Sequence, residues 1–171
     1  RRAPRLSVVI PTLDESECLG ALLGDIAALA SPHEVIVADG GSTDGTVEIA
    51  TRAGAQVITS PPGRGLQLQA GVDAAQERWL LIMHADCRLP RAARTALTDF
   101  LGKARDEDFA HFEFALEGKD PFWRFIEFGQ RLRERMYGLV YGDQGLVVSR
   151  ALYDAVGGYA PWSVMEDVGM F

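Results

Sequence analysis

The stretch VIVADGGSTDGT, residues 35–46, joins two patterns. Val35, Ile36, Val37 and Ala38 form an unbroken apolar run, and Asp39 to Thr46 is a turn of glycine and short polar residues. A strand with one wet face alternates. An unbroken run suits a strand covered on both faces, as in a parallel sheet. The same unit recurs on either side of it. Apolar runs at 6–10, 34–38, 55–59 and 79–83 alternate with helical patterns at 15–30, from the turn to about residue 53, and at 66–76. Leu19, Leu22, Leu23, Ile26 and Leu29 share one face of the first helix. Pro11 is expected to stop the first strand, residues 60–65 to form a loop, and Pro90 to open a fourth helix. This βαβα order predicts an α/β fold, a mostly parallel sheet flanked by helices.

Beyond residue 108 the pattern predicts a strand at 109–116, an aromatic, arginine-rich helix at 121–137, a strand at 145–149 and a helix at 150–156 ended by Gly157-Gly158. No repeat or linker interrupts the chain, and its 171 residues suit one domain spanning 1–171. The last residues, Met170-Phe171, carry no capping or turn signal, so the natural protein is expected to continue.

A net charge of -7 argues against a domain built to grip nucleic acid. It leaves room for a nucleotide held by backbone amides, one arginine and a cation. Cys18 and Cys87 form no CxxC, and two reduced thiols of a cytoplasmic protein are the expectation. No stretch has enough consecutive apolar residues to span a bilayer, and Arg1-Arg2-Ala3-Pro4-Arg5 lacks a signal core.

Ligands of open α/β sheets bind outside the carboxyl ends of the strands. Three polar clusters fall there and bring Asp14, Glu15, Asp39, Asp44 and Asp86 to one mouth. So many carboxylates repel one another unless a cation or hydrogen-bond donors offset them. For Asp14 and Asp44, capping and turn chemistry stands beside a ligand role. Asp39, at a strand end before two glycines, favours function, because glycine lets a ligand approach the backbone. A dinucleotide fold would need G-x-G-x-x-G after the first strand, where Pro11-Thr12-Leu13-Asp14-Glu15 stands instead. The chain also lacks a G-x-x-x-x-G-K-[ST] phosphate loop and the glycine- and arginine-rich loop of a sugar-nucleotide pyrophosphorylase.

SVVIPTLDE, VIVADGGSTDGT, GRGLQLQAGVDAA, WLLIMHAD and MEDV follow one another in the order seen in family 2 glycosyltransferases of the Rossmann-like GT-A fold, which this chain resembles over nearly its whole length. YGDQGLVVSR and Gly157-Gly158-Tyr159 are similar to a short bacterial subgroup, some of whose members are associated with arsenosugar biosynthesis. The resemblance implies a hexosyltransferase-type enzyme with a nucleotide-diphospho-sugar donor. It implies that Pro11, Thr12, Leu13 and Glu15 line the nucleotide pocket, that Asp39 bonds the base with Gly40 and Asp44 nearby, and that Arg64 faces the base or the diphosphate. Asp86, beside Ala85, would be the retained carboxylate of a D-x-D motif holding Mg²⁺ or Mn²⁺. His84 stands where the first aspartate of that motif often is. Imidazole binds Mn²⁺ but partners Mg²⁺ less well, and a hydrogen-bonded residue of the pocket wall is the alternative reading of His84. Asp167, paired with Glu166, would be the general base. Asp143 and Gln144 would border the acceptor site, with a simple turn as the alternative.

The chemistry suits these residue types independently. A departing nucleoside diphosphate concentrates negative charge that a hard cation on oxygen ligands neutralises. An acceptor hydroxyl needs a carboxylate to take its proton. A single inverting displacement needs only that base. A non-catalytic nucleotide-binding protein that kept the pocket is the rival from another class. In the helix at 121–137, Phe122, Phe125, Ile126, Gly129, Leu132 and Met136 form a core-facing stripe. The nearby arginines also suit an interfacial helix, which transfer to a polyprenyl-phosphate lipid would need, with the protein peripheral at the inner membrane face. Core packing is the expectation. The motifs name neither the base, the sugar, the acceptor nor the oligomeric state. Cys87 is read as a small packed residue.

Overall fold

The computed structural model describes residues 5–112 and 145–157. The elements are β1 (Leu6–Thr12), α1 (Leu19–Ala27), β2 (His33–Asp39), α2 (Thr46–Arg52), β3 (Gln56–Thr59), α3 (Arg64–Ala74), β4 (Trp79–Ile82), α4 (Arg91–Lys103), β5 (Phe109–His111), β6 (Leu146–Ser149) and α5 (Arg150–Ala155). The expected helix at 121–137 lies outside the described residues, as does the end of the expected strand at 109–116.

The sheet runs β3-β2-β1-β4-β6-β5. β1 is parallel to β2 and β4, and β2 to β3. β6 runs antiparallel to both β4 and β5. The α/β class with a mostly parallel sheet therefore holds, with an antiparallel strand inserted beside β4. From β1 the chain first builds outward through β2 and β3. It then returns by way of α3 to place β4 on the other side of β1. The crevice between β1 and β4 is thus the point where strand order reverses, the usual ligand position in such sheets.

Alternate residues of the central strands feed two cores. Val8, Ile10, Val37 and Leu81 pack with α1 and α4, where Leu19, Leu22, Ile26, Leu97 and Leu101 are buried. Val9, Ile36, Leu80 and Ile82 pack with Leu68 and Val72 of α3 and with α5 through Tyr153. Burial on both faces explains the unbroken apolar runs. Trp79 is fully buried and meets Phe100 edge-on at 5.5 Å between ring centroids.

Three boundaries depart from the sequence reading. β1 continues through Pro11 to Thr12, where a stop at Ile10 is expected. The Val9 carbonyl faces β4, since Met83 N donates to it. Pro11, two residues on, points the same way, past the last β1–β4 pair, Val9↔Ile82. Its missing N–H therefore costs no ladder bond. α1 starts at Leu19 rather than near Glu15; the amides of Glu15 and Ser16 donate instead to Thr46 Oγ1, at the start of α2, and to Asp44 Oδ2 in the loop before it. α3 starts at Arg64, so Arg64 belongs to a first helical turn and not to a loop. Gly63 precedes it at φ 138°, a backbone open chiefly to glycine, and its carbonyl accepts from Gln67 N at 2.9 Å.

At the far end of α3, Arg150 Nη2 donates to the carbonyls of Val72 (2.8 Å) and Ala75 (2.7 Å). A cation on the last carbonyls of a helix meets both their lone pairs and the negative end of the dipole. Arg150→Met is expected to lower unfolding free energy by about 1–3 kcal/mol in urea titrations with an unchanged m-value. Among the described residues no helix is long and apolar enough to cross a membrane.

Candidate functional site

The loops after β1 and β2 are stitched together by their own acidic residues. Asp39, buried at the end of β2 opposite Thr12, accepts from Thr12 Oγ1 (3.0 Å), Gly41 N (3.0 Å), Ser42 N (2.9 Å) and Ser42 Oγ. Burial alone would raise its pKa. The hydrogen bonds from Ser42, Gly41 and Thr12 outweigh that and hold it below the usual carboxylate range. Asp14 adopts left-handed backbone, φ 54°. Its carboxylate accepts from Thr43 N at 2.7 Å, and its own amide donates to Ser42 Oγ at 2.9 Å. Asp44 accepts from the Thr46 hydroxyl and amide and from Ser16 N. The Thr46 hydroxyl is the largest cause holding its carboxyl well below the usual range. Asp14 and Asp44 thus do the turn chemistry raised as one reading of each, across two loops rather than within one.

This network has an acid signature. A carboxyl whose folded pKa lies below its unfolded value of about 4 releases its proton more readily when folded. Its stabilisation is complete above that value and is lost as pH falls through about 4 and lower. Asp25, Asp39 and Asp44 all share this sign. Asp44→Asn is expected to be less stable than wild type at pH 7 and to show a shallower acid limb, so that melting temperatures converge as pH drops below about 3. Parallel curves down to the lowest pH would disprove the assignment.

In front of the stitched loops lies a cleft of about 370 Å³, lined by Pro11, Thr12, Leu13, Glu15, Gly63, Arg64, Gln67, His84, Ala85 and Asp86. It occupies the mouth of the β1–β4 crevice. The N-terminal turn of α3 forms its other wall. Of the residues expected to bind a donor, Pro11, Thr12, Leu13, Glu15, Arg64, Ala85 and Asp86 line it, together with His84. Asp39, Gly40 and Asp44 are absent from the lining; Asp39 and Asp44 are tied into the loop network, and Gly40 N donates to Thr12 O at 2.9 Å. Asp143, Gln144, Glu166 and Asp167 lie outside the described residues. Gly63 and Gln67 are lining residues that the sequence reading missed. For Gln67 a signal existed: it follows Arg64 by three, and such residues share a helix face.

The cleft is electrically strained where α3 faces β4. Burial raises the pKa of Glu15, and the nearby Asp86 raises it further, against the opposing charge of Arg64. Burial lowers the pKa of His84 to about 4, with Arg64 acting the same way and Asp86 against it. His84 is therefore a neutral imidazole near pH 7. Among the described residues its Nε2 is a buried polar atom with no hydrogen-bond partner. Among the described residues no group of three or more His, Cys, Asp or Glu side chains is arranged so that it could hold a metal ion by itself.

The loop carrying Asp86 is tied down from α1. Cys87 N closes a tight turn onto His84 O at 3.1 Å. Asp25 then takes Arg88 with both oxygens (2.7 and 3.1 Å) and Leu89 N at 3.0 Å, while Arg94 Nη1 donates to Leu89 O at 2.6 Å. The Arg88 hydrogen bonds are the main cause of the depressed pKa of Asp25. Cys87 is half-buried against the α1–α4 core, as expected of a packed residue.

A mixed α/β sheet with its cleft at the β1–β4 switch point is the arrangement of the GT-A glycosyltransferases. A mannosyltransferase from Pyrobaculum calidifontis, solved with GDP-Man and Mn²⁺, superposes with a TM-score of 0.69 at 22% identity, covering 92% of this chain and 48% of its own. Glucosyl-3-phosphoglycerate synthase from Mycobacterium tuberculosis, solved with Mn²⁺, UDP and phosphoglyceric acid, gives 0.71 at 22% identity, covering 98% and 63%. Residues 7–148 match the model of glycosyl transferase family 2, and the chain belongs to that family. An uncharacterized glycosyltransferase of M. tuberculosis is 37% identical over 102 residues, 59% of this chain and 45% of its own. A PGL/p-HBAD biosynthesis glycosyltransferase of the same organism is 32% identical over 130 residues, 71% and 51%. The chain spans about half the length of the curated relatives it matches.

Proposed function

We propose that the protein is an inverting glycosyltransferase that moves a sugar from a nucleotide-diphospho-sugar to an acceptor hydroxyl and depends on a divalent cation. The observation that carries this reading is the cleft itself. It sets one cation, Arg64, beside two acidic groups and a neutral imidazole whose buried Nε2 has no partner among the described residues, at the strand-switch crevice. Arg64 suits a diphosphate. The relatives solved with GDP-Man and Mn²⁺, and with UDP and Mn²⁺, support a donor of that class.

A divalent cation fits the residues present. Glu15 and Asp86 repel each other in the cleft. Asp86 would hold the cation, with His84 as a nitrogen partner, and donor phosphate oxygens would complete the shell, as is usual for hard cations on phosphates. A nitrogen in the set favours Mn²⁺ over Mg²⁺. When bound, the cation neutralises charge building on the leaving diphosphate. Asp167, paired with Glu166, is our candidate for the base that takes the acceptor proton, and Asp143 and Gln144 for the acceptor border. Asp39 and Asp44 support the nucleotide pocket by holding its loops, and Asp39 is also our candidate for contact with the base.

Calorimetric titration of UDP, GDP, CDP and dTDP with Mn²⁺, Mg²⁺ or EDTA tests the reading. Binding of one nucleotide that requires the metal is the expected result, and no binding of any of them sinks it. With the matching nucleotide sugar, Asp167→Ala is expected to bind donor and lose turnover. Unchanged turnover in that variant moves the base elsewhere. Binding without turnover in wild type would instead favour the non-catalytic rival.

A further inference from the structure

Gln67 is polar and only 4% exposed, yet it lines the cleft. Its amide nitrogen donates twice, to Thr12 O at 2.5 Å and to Ala38 O at 3.1 Å, 55 and 29 residues away. One side chain thereby bridges the carboxyl ends of β1 and β2. Two carbonyl acceptors on one side of the amide fix its orientation, since the flipped form would set oxygen against oxygen. Oε1 then faces the other way. It takes part in no hydrogen bond among the described residues, and it is not sealed from solvent, because His84 Nε2 is the one buried unpartnered side-chain atom among them. Gly40 backs onto this amide: a Cβ there would lie 2.9 Å from Nε2, 3.1 Å from Cδ and 3.4 Å from Oε1. The position is held from both sides.

An amide oxygen with both its N–H groups committed only accepts. It repels phosphate oxygens, which offer no proton at neutral pH, and a ligand that displaces water from it leaves it unsatisfied unless the ligand itself brings an N–H or O–H. Gln67 sits on the β1–β2 side of the cleft, whereas His84 and Asp86 follow β4 on the far side of β1. With the diphosphate at Asp86, the nucleoside falls toward Gln67. We propose that Gln67 is a specificity-determining residue whose locked carbonyl accepts a hydrogen bond from the nucleoside half of the donor, from a ring N–H of the base or from a ribose hydroxyl. The inference rests on the donor reading above.

The test is a cycle between ligand and protein, run by calorimetry with Mn²⁺. The probes are UDP and GDP, their ring-N-methylated counterparts 3-methyl-UDP and 1-methyl-GDP, their 2′-deoxy and 3′-deoxy counterparts, and inorganic pyrophosphate. For whichever parent nucleotide binds, one counterpart should bind wild type roughly tenfold or more weakly, and its identity separates base from ribose. In Gln67→Met that discrimination should fall below about twofold, with pyrophosphate affinity unchanged within about twofold. Gly40→Ala, which crowds the amide without removing it, should shrink the discrimination in the same direction. The wild-type ligand series needs no variant to fold. No discrimination in wild type, discrimination that survives Gln67→Met, or pyrophosphate affinity falling in parallel would each overturn the proposal. If wild type binds neither UDP nor GDP, the nucleotides on which it is built, the inference falls. If UDP or GDP binds without discrimination, only Gln67 falls and the donor reading stands.

Discussion

Asp86→Ala is expected to lose metal-dependent nucleotide binding while keeping its fold. The side chain is exposed at the cleft, so truncation opens no cavity. In the unliganded protein Asp86 works against Glu15, whose pKa it raises by repulsion. Removing it relieves that repulsion, and the stability change should stay within about 0.5 kcal/mol. Binding is different. Deleting one member of a desolvated charge pair typically costs about 2–5 kcal/mol, or roughly 30-fold to several thousand-fold in affinity. The loss should be large with Mn²⁺ and small with EDTA, because only the metal-dependent part runs through this carboxylate. Calorimetry on the two proteins, with and without chelator, reads it directly. Wild-type affinity in the variant with metal present would place any cation on other residues.

Gly71→Val should be the most destabilising of the helix substitutions. Glycine inside a helix is ordinarily a weakness, and alanine there gains about 1 kcal/mol from propensity. At Gly71 the sign reverses. A Cβ would lie 2.5 Å from Val9 Cγ1 and 3.4 Å from Ala38 Cβ, on the central strands β1 and β2. Val9 is fully buried and branched at Cβ, so it has little freedom to turn aside. Overpacking of this kind costs about 1–3 kcal/mol and occasionally more. Gly71→Ala should lose about 1–2 kcal/mol net and Gly71→Val about 3 kcal/mol or more, read from urea midpoints at constant m. Val9→Ala should rescue Gly71→Ala, giving a clearly non-additive double mutant. A neutral or stabilising Gly71→Ala would show that α3 can move off the sheet. The same close approach bears on the site, since Gln67 and Arg64 ride on α3 one and two turns earlier. A helix pushed outward carries both out of the cleft wall.

The architecture was legible because hydrophobic periodicity is a local record of burial. Unbroken runs such as Val35 to Ala38 register a strand covered on both faces, and the stripe from Leu19 to Leu29 registers a helix on that sheet. The rule that ligands sit beyond strand ends then collected the clusters at 12–15, 39–46 and 84–86 into one mouth, and the family resemblance added Pro11 and Arg64; of these, Pro11, Thr12, Leu13, Glu15, Arg64, His84, Ala85 and Asp86 line the cleft. Periodicity carries no information on which polar groups meet across the chain. The sequence shows Asp14, Asp39 and Asp44 as carboxylates near strand ends. Only the folded backbone decides that they accept hydrogen bonds from neighbouring loop groups and do not line the cleft. The same holds for Pro11, harmless in β1 because β4 has already ended beside it, and for β6, whose antiparallel pairing with β4 no local pattern specifies. Gln67 is the clearest case. In the sequence it is one of two similar glutamines on a polar helix. In the structure it is buried and bonded to carbonyls of two strands, because a hydrogen bond depends on where distant segments are brought together, and side-chain chemistry alone does not contain that position.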